Sequence, residues 1–482
     1  MDERLLREFA GICGPAAVLH EPLQLLTYEC DGLPYLRAVP AAVVLPSSAG
    51  EVQAVVRVCH REAIPFVARG HGTGLSGGAL PVKDGIVIAL SRLNRVLDVD
   101  LANRRVTVEP GVTNLDITKA VAPHGYYYAP DPSSQQVCSI GGNVAENSGG
   151  AHCLKYGFTV HHVLALDLVL PDGELVHVGS PMVDVPGPDL LGLIVGSEGT
   201  LGIVTKITVR ILRKPESVQT LLAAFDSIDA AGSAVSAIIA EGIIPAAVEM
   251  MDALAIRAAE AAVHPNFPPA DAILIVELDG PSAEVGSLFE IVEATCRRSG
   301  ATRLEIAPDE QQRARIWRGR KAAFAAMGRV SPNYYVQDGV VPRTKLPDVL
   351  GRIRALEARS GLRIGNVFHA GDGNLHPLIC YDERVPGEAE RAADVAGEIL
   401  GYCVDAGGSI TGEHGVGADK AQYMPRMFSP DDLDAMQLVR RAFDPRHLCN
   451  PGKVFPTPRL CGEVPGPYRE HPAERAGLAE RF

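Results

Sequence analysis

The sequence has little of what marks a secreted, membrane-spanning or nucleic-acid-binding protein. Its ten cysteines are scattered singly through 482 residues, with no C-x-x-C pair, which excludes a self-contained iron–sulfur cluster or zinc ribbon of the usual spacing. No uncharged apolar run reaches about 18 residues, so no transmembrane helix is predicted. The net charge is −13 and there is no basic run, which argues against a nucleic-acid partner.

The N-terminus and the unpaired cysteines together indicate a location. Met1-Asp2-Glu3-Arg4 is not followed by the apolar segment that a secretory signal peptide requires. Scattered thiols are typical of a reducing compartment. We therefore expect a cytoplasmic protein without a direct membrane span.

The length and the pattern of the chain predict several domains of α+β type. A chain of 482 residues exceeds one typical core, so two or three domains are expected. Short alternating strands and helices, interrupted by glycine-rich loops, run through 39–217, after an N-terminal segment, 1–38. Residues 218–440 read as an antiparallel sheet backed by helices. They are followed by a short segment, 441–456, and a tail, 457–482, that we expect to be flexible.

Three glycine-rich segments can wrap a ligand closely. The first, 69–78 (RGHGTGLSGG), follows a buried strand, so its consecutive backbone N–H groups can face an anion. It lacks the G-K-[ST] ending of a nucleotide P-loop and on its own is equally consistent with a plain flexible loop. The second covers 129–150 and the third 196–209, and both combine glycine with serine, asparagine or threonine.

A second kind of motif concentrates metal ligands. Asp372-Gly373 predicts a two-residue type I′ turn, which would place His369 directly opposite His376 on one face of a hairpin. Glu413-His414 lies between glycines a little further on. Two histidines and one carboxylate leave coordination positions open, as a catalytic divalent-metal site requires. The plain alternative is a polar turn with two surface histidines.

The glycine-rich segments, in this order and over this span, resemble the PCMH-type FAD-binding domain of the vanillyl-alcohol oxidase family. The similarity runs from about residue 20 to 456 and is greatest to the FAD-dependent 2-hydroxyacid dehydrogenases, the glycolate oxidase and D-lactate dehydrogenase type. It implies a flavin domain at 39–217, a substrate (cap) domain at 218–440, and a return to the flavin at 441–456. Non-covalent FAD is expected, although His71 could attach it covalently, as a histidine does in some family members.

The resemblance implies a set of FAD-binding residues. They are Arg69, Gly70, His71, Gly72, Thr73, Gly74, Ser76, Gly77, Pro132, Ser133, Ser139, Gly141, Gly142, Asn143, Ala145, Asn147, Gly149, Gly150, Glu198, Gly202, Ile203, Val204, Asn450 and Lys453.

The same resemblance assigns the chemistry of the site. His369, His376 and Glu413 match its metal ligands, with zinc expected and manganese or iron possible. His414 matches the general base, which takes the hydroxyl proton while hydride leaves for flavin N5; the alternative is that it only orients Glu413. Arg320 is expected to clamp the substrate carboxylate, and the alternative is a solvated arginine. Asn374 is a further hydrogen-bond donor to substrate.

The resemblance also leads to expectations about the substrate and the electron acceptor. The resemblance implies that the 2-hydroxyglutarate enzymes of the family carry threonine and lysine where this chain has Phe324 and Val336, so a small acid such as glycolate or D-lactate is expected. Because the chain has no cluster-binding cysteines, electrons are expected to leave to an iron–sulfur partner subunit and then quinone, in a complex with a second flavin subunit. The alternatives are a metal-independent flavin oxidase of alcohols that uses oxygen, and a catalytically silent flavin subunit.

Overall fold

A computed structural model describes residues 1–180, 182 and 186–456 of the chain. The predicted flexible tail, 457–482, lies outside the described residues. Within them, no helix is both long and apolar enough to cross a membrane.

The N-terminal half begins with a four-stranded sheet. Its strands lie in the order Val18–Leu19, Ala42–Val44, Ile86–Ala89 and Phe66–Arg69, and the last three are parallel. The helix Ala49–Glu62 covers this sheet through Val52, Val55 and Val56. The Ser48 hydroxyl caps that helix by accepting from the Glu51 N–H, and the Glu51 carboxylate accepts from the N–H and the hydroxyl of Ser47.

A five-stranded antiparallel sheet completes the N-terminal half. Its strands are, in order, Val96–Asp100, Arg105–Val108, Ile203–Arg210, Val163–Val169 and Leu175–Gly179. The last two strands form a hairpin through Pro171-Asp172-Gly173. The short pair Tyr126–Tyr127 and Leu212–Arg213 lies beside it. The helices of this half are Glu3–Cys13, Pro22–Leu25, Ala49–Glu62, Asn114–Val121, Ile140–Glu146, Cys153–Tyr156 and Leu190–Ile194.

The C-terminal half is built on a nine-stranded sheet. Seven strands lie in the order Ala301–Ile306, Ser217–Phe225, Ala272–Gly280, Ala247–Asp252, Ile364–His369, Asn374–Leu375 and Gly339–Val340, and Pro377–Tyr381 joins Asn333–Val336 to Ile364–His369. All its pairings are antiparallel, as predicted. The central strands are buried on both faces, because helices cover the two sides.

The α-helices of this half lie between and after its strands along the chain. They are Ile228–Ala240, Ala253–Val263, Ser282–Arg298, Glu310–Ala326, Leu346–Ser360, Glu388–Asp405, Met424–Met427 and Pro430–Phe443. The chain then returns to the first sheet, where Asn450 N–H donates to the Phe66 carbonyl.

A buried ionic cluster joins the two halves around Glu277. His152, from the N-terminal half, lies with its two ring nitrogens 3.0 Å from Asp131 and 3.1 Å from Glu277. Glu277 also accepts from Arg313 and from the indole N–H of Trp317. Burial alone lowers the pKa of His152, but Asp131 and Glu277 outweigh it and raise the pKa to about 10. The cluster is therefore held by a charged histidine at neutral pH.

This shift predicts that the protein loses stability in alkali. A histidine pKa raised in the folded state stabilises fully below its unfolded value, about 6.5, and that stabilisation disappears as pH rises through about 10. His152→Gln should therefore lower the melting temperature by at least about 2 °C near neutral pH and by much less above pH 10. Melting curves of both proteins from pH 6 to 11 test this, and an equal difference at every pH would contradict it.

Candidate active site

A cavity of about 590 Å³ runs between the two halves of the molecule. It lies within the range of about 300–1,000 Å³ that is usual for ligand and cofactor sites. The three glycine-rich segments line it on one side, while Lys321, Phe324, Tyr334 and Val336 line it on the other. Glu413 and His414 border the same cavity, so the predicted cofactor segments and the predicted chemistry share one space.

Most of the predicted FAD-binding residues line this cavity. They are Gly70, His71, Gly72, Thr73, Gly74, Pro132, Ser133, Ser139, Gly141, Gly142, Asn143, Ala145, Glu198, Gly202, Ile203, Val204 and Asn450. The loop 70–74 packs closely on the segment at Ser139, because a Cβ atom on Gly70 would lie 2.1 Å from the Ser139 hydroxyl oxygen. Only glycine fits this loop position without movement.

The other predicted FAD-binding residues do not line the cavity. Arg69 and Lys453 donate to the backbone carbonyls of Cys30 and Leu80, and the side chain of Asn147 accepts from the Val160 N–H. The remaining four residues are Ser76, Gly77, Gly149 and Gly150, which are likewise absent from the cavity lining.

The predicted hairpin forms, but its turn and register were wrong. Only Gly373 in the Asp372-Gly373 pair has a positive φ, of 76°, whereas a type I′ turn requires it at both positions. His369 pairs with Asn374, not with His376. The register is thus shifted by two residues, and a shift by an even number keeps every side chain on its face.

The two imidazoles therefore still converge, as diagonal neighbours. The ring centroids of His369 and His376 are 5.1 Å apart. Glu413 Oε1 lies 3.2 Å from His369 Nε2 and 3.4 Å from His376 Nε2. One potential ligand atom from each of the three residues lies within 4.8 Å of the others. Burial raises the pKa of Glu413, but His369 and then the other histidines outweigh it and lower the pKa to about 2.

Asp338, which the sequence analysis missed, holds the loop that carries Glu413 and His414. Its buried carboxylate accepts from the backbone N–H groups of Gly412, Glu413 and His414 and from the Thr411 hydroxyl. Lys420 lies 3.3 Å away, and this charge together with His414 and His376 overcomes burial and holds the Asp338 pKa well below its usual value. A buried carboxylate with three backbone donors fixes the loop rigidly.

Glu249 was also missed, and it orients His369. The Glu249 carboxylate is 1% exposed and accepts from His369 Nδ1, at 2.8 Å. Hydrogen bonding of this kind fixes the tautomer and leaves Nε2 for a metal ion. Glu249 has a sequence signal, because it interrupts an apolar strand, whereas Asp338 lies between the strands Asn333–Val336 and Gly339–Val340. A lone acid in an apolar strand is a candidate for a paired, buried charge.

Arg320 and Asn374 do not line the cavity that Glu413 and His414 border. Arg320 is 2% exposed, with Nη2 2.5 Å from Glu249 Oε2, and is not among the residues lining that cavity. Asn374 lines a second cavity, of about 760 Å³, on the other side of Gly412. The Nε of Arg320 and the Oδ1 of Asn374 are buried without a hydrogen-bond partner among the described residues.

His414 lies against His376 and faces the flavin cavity. The two rings stack in parallel with centroids 4.9 Å apart, and His414 Nε2 is 3.9 Å from Glu413 Oε1. Burial lowers the pKa of His414 to about 4, although Asp338 opposes this. The imidazole is therefore neutral at pH 7 and able to accept a proton.

Comparison with known families accounts for this architecture. Residues 40–179 match the family described as FAD binding domain, and residues 214–454 match FAD linked oxidases, C-terminal domain. The chain belongs to the FAD-linked oxidases, and FAD is its cofactor.

Within that family the chain is similar to glycolate oxidase and D-lactate dehydrogenase proteins. Glycolate oxidase subunit GlcD of Escherichia coli (strain K12) is 51% identical over 455 residues, which cover 94% of this chain and 91% of the relative. The subunit GlcD of Bacillus subtilis is 40% identical, covering 89% and 92%. D-lactate dehydrogenase of Anaerostipes hadrus is 32% identical, covering 87% and 90%. The resemblance inferred from the motifs is confirmed.

Solved structures confirm the predicted PCMH-type fold. The 4-ethylphenol oxidase from Gulosibacter chungangensis superimposes with a TM-score of 0.80 at 18% identity, over 94% of this chain and 97% of that one. A p-cresol methylhydroxylase gives 0.79 at 19% identity, over 94% and 96%.

Proposed function

We propose that this protein oxidises a small D-2-hydroxy acid, glycolate or D-lactate, to the 2-oxo acid, with FAD as acceptor and a divalent metal ion at His369, His376 and Glu413. FAD-dependent oxidation of a hydroxy acid is supported by the similarity to glycolate oxidase and D-lactate dehydrogenase proteins over most of the chain. The observation that carries the proposal is the convergence of these three side chains, one of which, Glu413, lines together with His414 the cavity that the FAD-binding segments line.

The residues of the site fit both FAD and a divalent metal ion. Three glycine-rich segments line a cavity of suitable volume for a flavin. His376 Nδ1 is buried without a hydrogen-bond partner among the described residues, and its Nε2 lies 3.4 Å from both Asp338 Oδ1 and Glu413 Oε1, an arrangement that suits a metal ligand. Two imidazoles and a carboxylate are a donor set suited to zinc, and manganese or iron also accept it.

The chain's own groups have separate tasks in the reaction. When bound, FAD supplies the hydride acceptor and the metal ion polarises the substrate hydroxyl. The neutral His414 takes the hydroxyl proton. Asp338 keeps the loop of His414 in place, and Glu249 keeps His369 oriented. Arg320 is proposed as the partner of the substrate carboxylate through its free Nε, with Asn374 as a further hydrogen-bonding group.

FAD is proposed to be bound non-covalently. His71 Nδ1 is 2.6 Å from the Val137 carbonyl oxygen, an interaction in which that nitrogen donates a proton. Acid precipitation should therefore release all the flavin into the supernatant, and yellow colour retained in the pellet would contradict this.

The side chains on the cap side of the cavity predict a preference for small acids. The Phe324 ring lies edge-on to His376 at 5.7 Å, and it lines the cavity together with Val336. Neither can pair with a distal carboxylate, whose burial without a partner is costly. In anaerobic mixtures, glycolate or D-lactate should bleach the flavin at least about tenfold faster than D-2-hydroxyglutarate, a difference of about 1.4 kcal/mol. A preference for the dicarboxylate would overturn the assignment of Phe324 and Val336.

The physiological electron acceptor is proposed to be an iron–sulfur partner subunit that passes electrons on to quinone, in a complex with a second flavin subunit. The relative from Escherichia coli is named as a subunit of glycolate oxidase, which supports partner subunits. The nine cysteines among the described residues are unpaired and mostly buried, which supports a reducing, cytoplasmic location. The isolated chain should then reduce an artificial dye quickly and oxygen slowly. Equal rates with dye and oxygen would make it a self-sufficient oxidase.

A further inference from the structure

Glu146 is a half-buried residue with a carboxyl group for which the reaction described above has no use. It ends the helix Ile140–Glu146 and lines the flavin cavity. Its Oε2 atom is enclosed and has no hydrogen-bond partner among the described residues. Leaving a buried polar atom unsatisfied costs about 1–3 kcal/mol, so a partner from outside the chain is expected.

Two glycines hold this carboxyl group between loops of the two halves. A Cβ atom on Gly415 would lie 2.0 Å from Glu146 Oε2, and one on Gly78 would lie 2.4 Å from Oε1. The backbone of the glycine-rich loop thus covers the carboxyl group on one side, and the backbone of the loop that carries His414 covers it on the other. The cavity is the side from which a partner can approach.

A second carboxyl group, Glu198, lies beside it. The same Cβ position on Gly415 is 3.0 Å from Glu198 Oε1, so the two carboxyl oxygens are at most about 5 Å apart. Glu198 accepts from the backbone N–H groups of Val416 and Gly417, each at 2.6 Å. These two donors favour the charged form of Glu198, although burial leaves its pKa raised, whereas Glu146 Oε2 has no donor among the described residues. Two carboxylates this close in a buried site do not both ionise.

The other charged groups near Glu146 also favour its protonated form. Burial, then Glu198, then Asp31 hold the pKa of Glu146 well above its usual value, and Asp338 acts in the same direction. Lys420 opposes them, but its ammonium group is already engaged with Asp338 and with the Gly415 carbonyl. Glu146 therefore keeps its proton at neutral pH.

We propose that Glu146 is a neutral carboxylic acid that donates a hydrogen bond to the flavin ring of FAD and thereby favours the reduced cofactor. The flavin ring is favoured over the phosphates because Glu146 touches Gly415, the residue after His414, at the reactive end of the cavity. The ring offers nitrogen and carbonyl acceptors that become more electron-rich on reduction, so a donor is worth more in the reduced state. Glu146 transfers no proton in this role; it tunes the cofactor.

The test compares Glu146→Met, which has no donor, with Glu146→Gln, whose amide still donates. Dye-coupled redox titration of the FAD-loaded proteins, without substrate or added metal, gives the reduction equilibrium of the flavin. The methionine variant should be about tenfold harder to reduce, which is about 30 mV for a two-electron couple, while the glutamine variant stays close to wild type. In infrared spectra, wild type should show the carbonyl stretch of a protonated carboxylic acid that both variants lack.

Two results would overturn the proposal. One is a methionine variant with the wild-type reduction potential. The other is an infrared spectrum in which no acid carbonyl band disappears on replacement of Glu146. Should the methionine variant fail to retain FAD, the infrared comparison of wild type with Glu146→Gln decides alone. Because neither measurement uses substrate or metal, their failure is distinguishable from failure of the proposed reaction.

Discussion

Replacement of His376 by alanine should remove the metal ion and lower turnover by at least about a thousandfold, while FAD stays bound. The imidazole is one of the three proposed ligands, and a metal ion stabilises developing charge by several kcal/mol, each 1.36 kcal/mol being a factor of ten in rate. His376 does not line the cavity that the FAD-binding segments line, so flavin absorbance should not change. Elemental analysis and steady-state rates, measured on the same preparation, test both parts.

Glu249→Gln is the matched control for this change. It leaves all three proposed ligands in place but replaces the carboxylate that accepts from His369 Nδ1. Such a change typically weakens metal binding by about 10–100-fold, so excess metal should restore activity to this variant and not to His376→Ala. Full activity of His376→Ala in metal-free buffer would show that the cluster is not catalytic.

Replacement of His414 by glutamine should lower kcat by about 10²–10⁴-fold, the usual contribution of a general base. The metal and FAD contents should stay at wild-type levels, because His414 is not among the three proposed ligands. Its neutral ring faces the cavity, where a substrate hydroxyl is expected. Rapid-mixing measurement of flavin reduction isolates this step from reoxidation.

An exposed histidine provides the comparison. His177, on a surface strand, pairs with Asp167 far from the cavity, and His177→Gln should keep the wild-type rate. If His414→Gln instead loses metal along with activity, His414 acts by orienting Glu413, the alternative role considered from the sequence. Unchanged reduction kinetics would remove it from the reaction altogether.

The local secondary structure and the side-chain types of the proposed ligands could be predicted from the sequence. The alternation of short strands and helices in residues 39–217 was predictable, because each element depends on nearby residues. The convergence of His369 and His376 was also predictable, even from a wrong register. Side chains alternate along a strand with period two, so an error of two residues left both rings on one face.

What depends on distant partners could not be predicted. Glu249 lies in the strand Ala247–Asp252 and Asp338 lies between two strands, both far along the chain from His369 and from the loop of Glu413 that they hold, and no local spacing connects them. The same holds for the ion pair between Arg320 and Glu249. The pairing of Glu146 with Glu198 likewise requires two loops to meet.

Anaerobic mixing of glycolate or D-lactate with the FAD-loaded protein, in metal-loaded and metal-depleted forms, tests the central claim most directly. Absorbance of the oxidised flavin reports reduction without any electron acceptor or partner subunit. The metal-loaded protein should bleach rapidly with at least one of the two acids, and the depleted protein should bleach at least about a thousandfold more slowly until metal is restored. Equal bleaching by the two forms, or none with either acid, would contradict metal-assisted oxidation of a small 2-hydroxy acid.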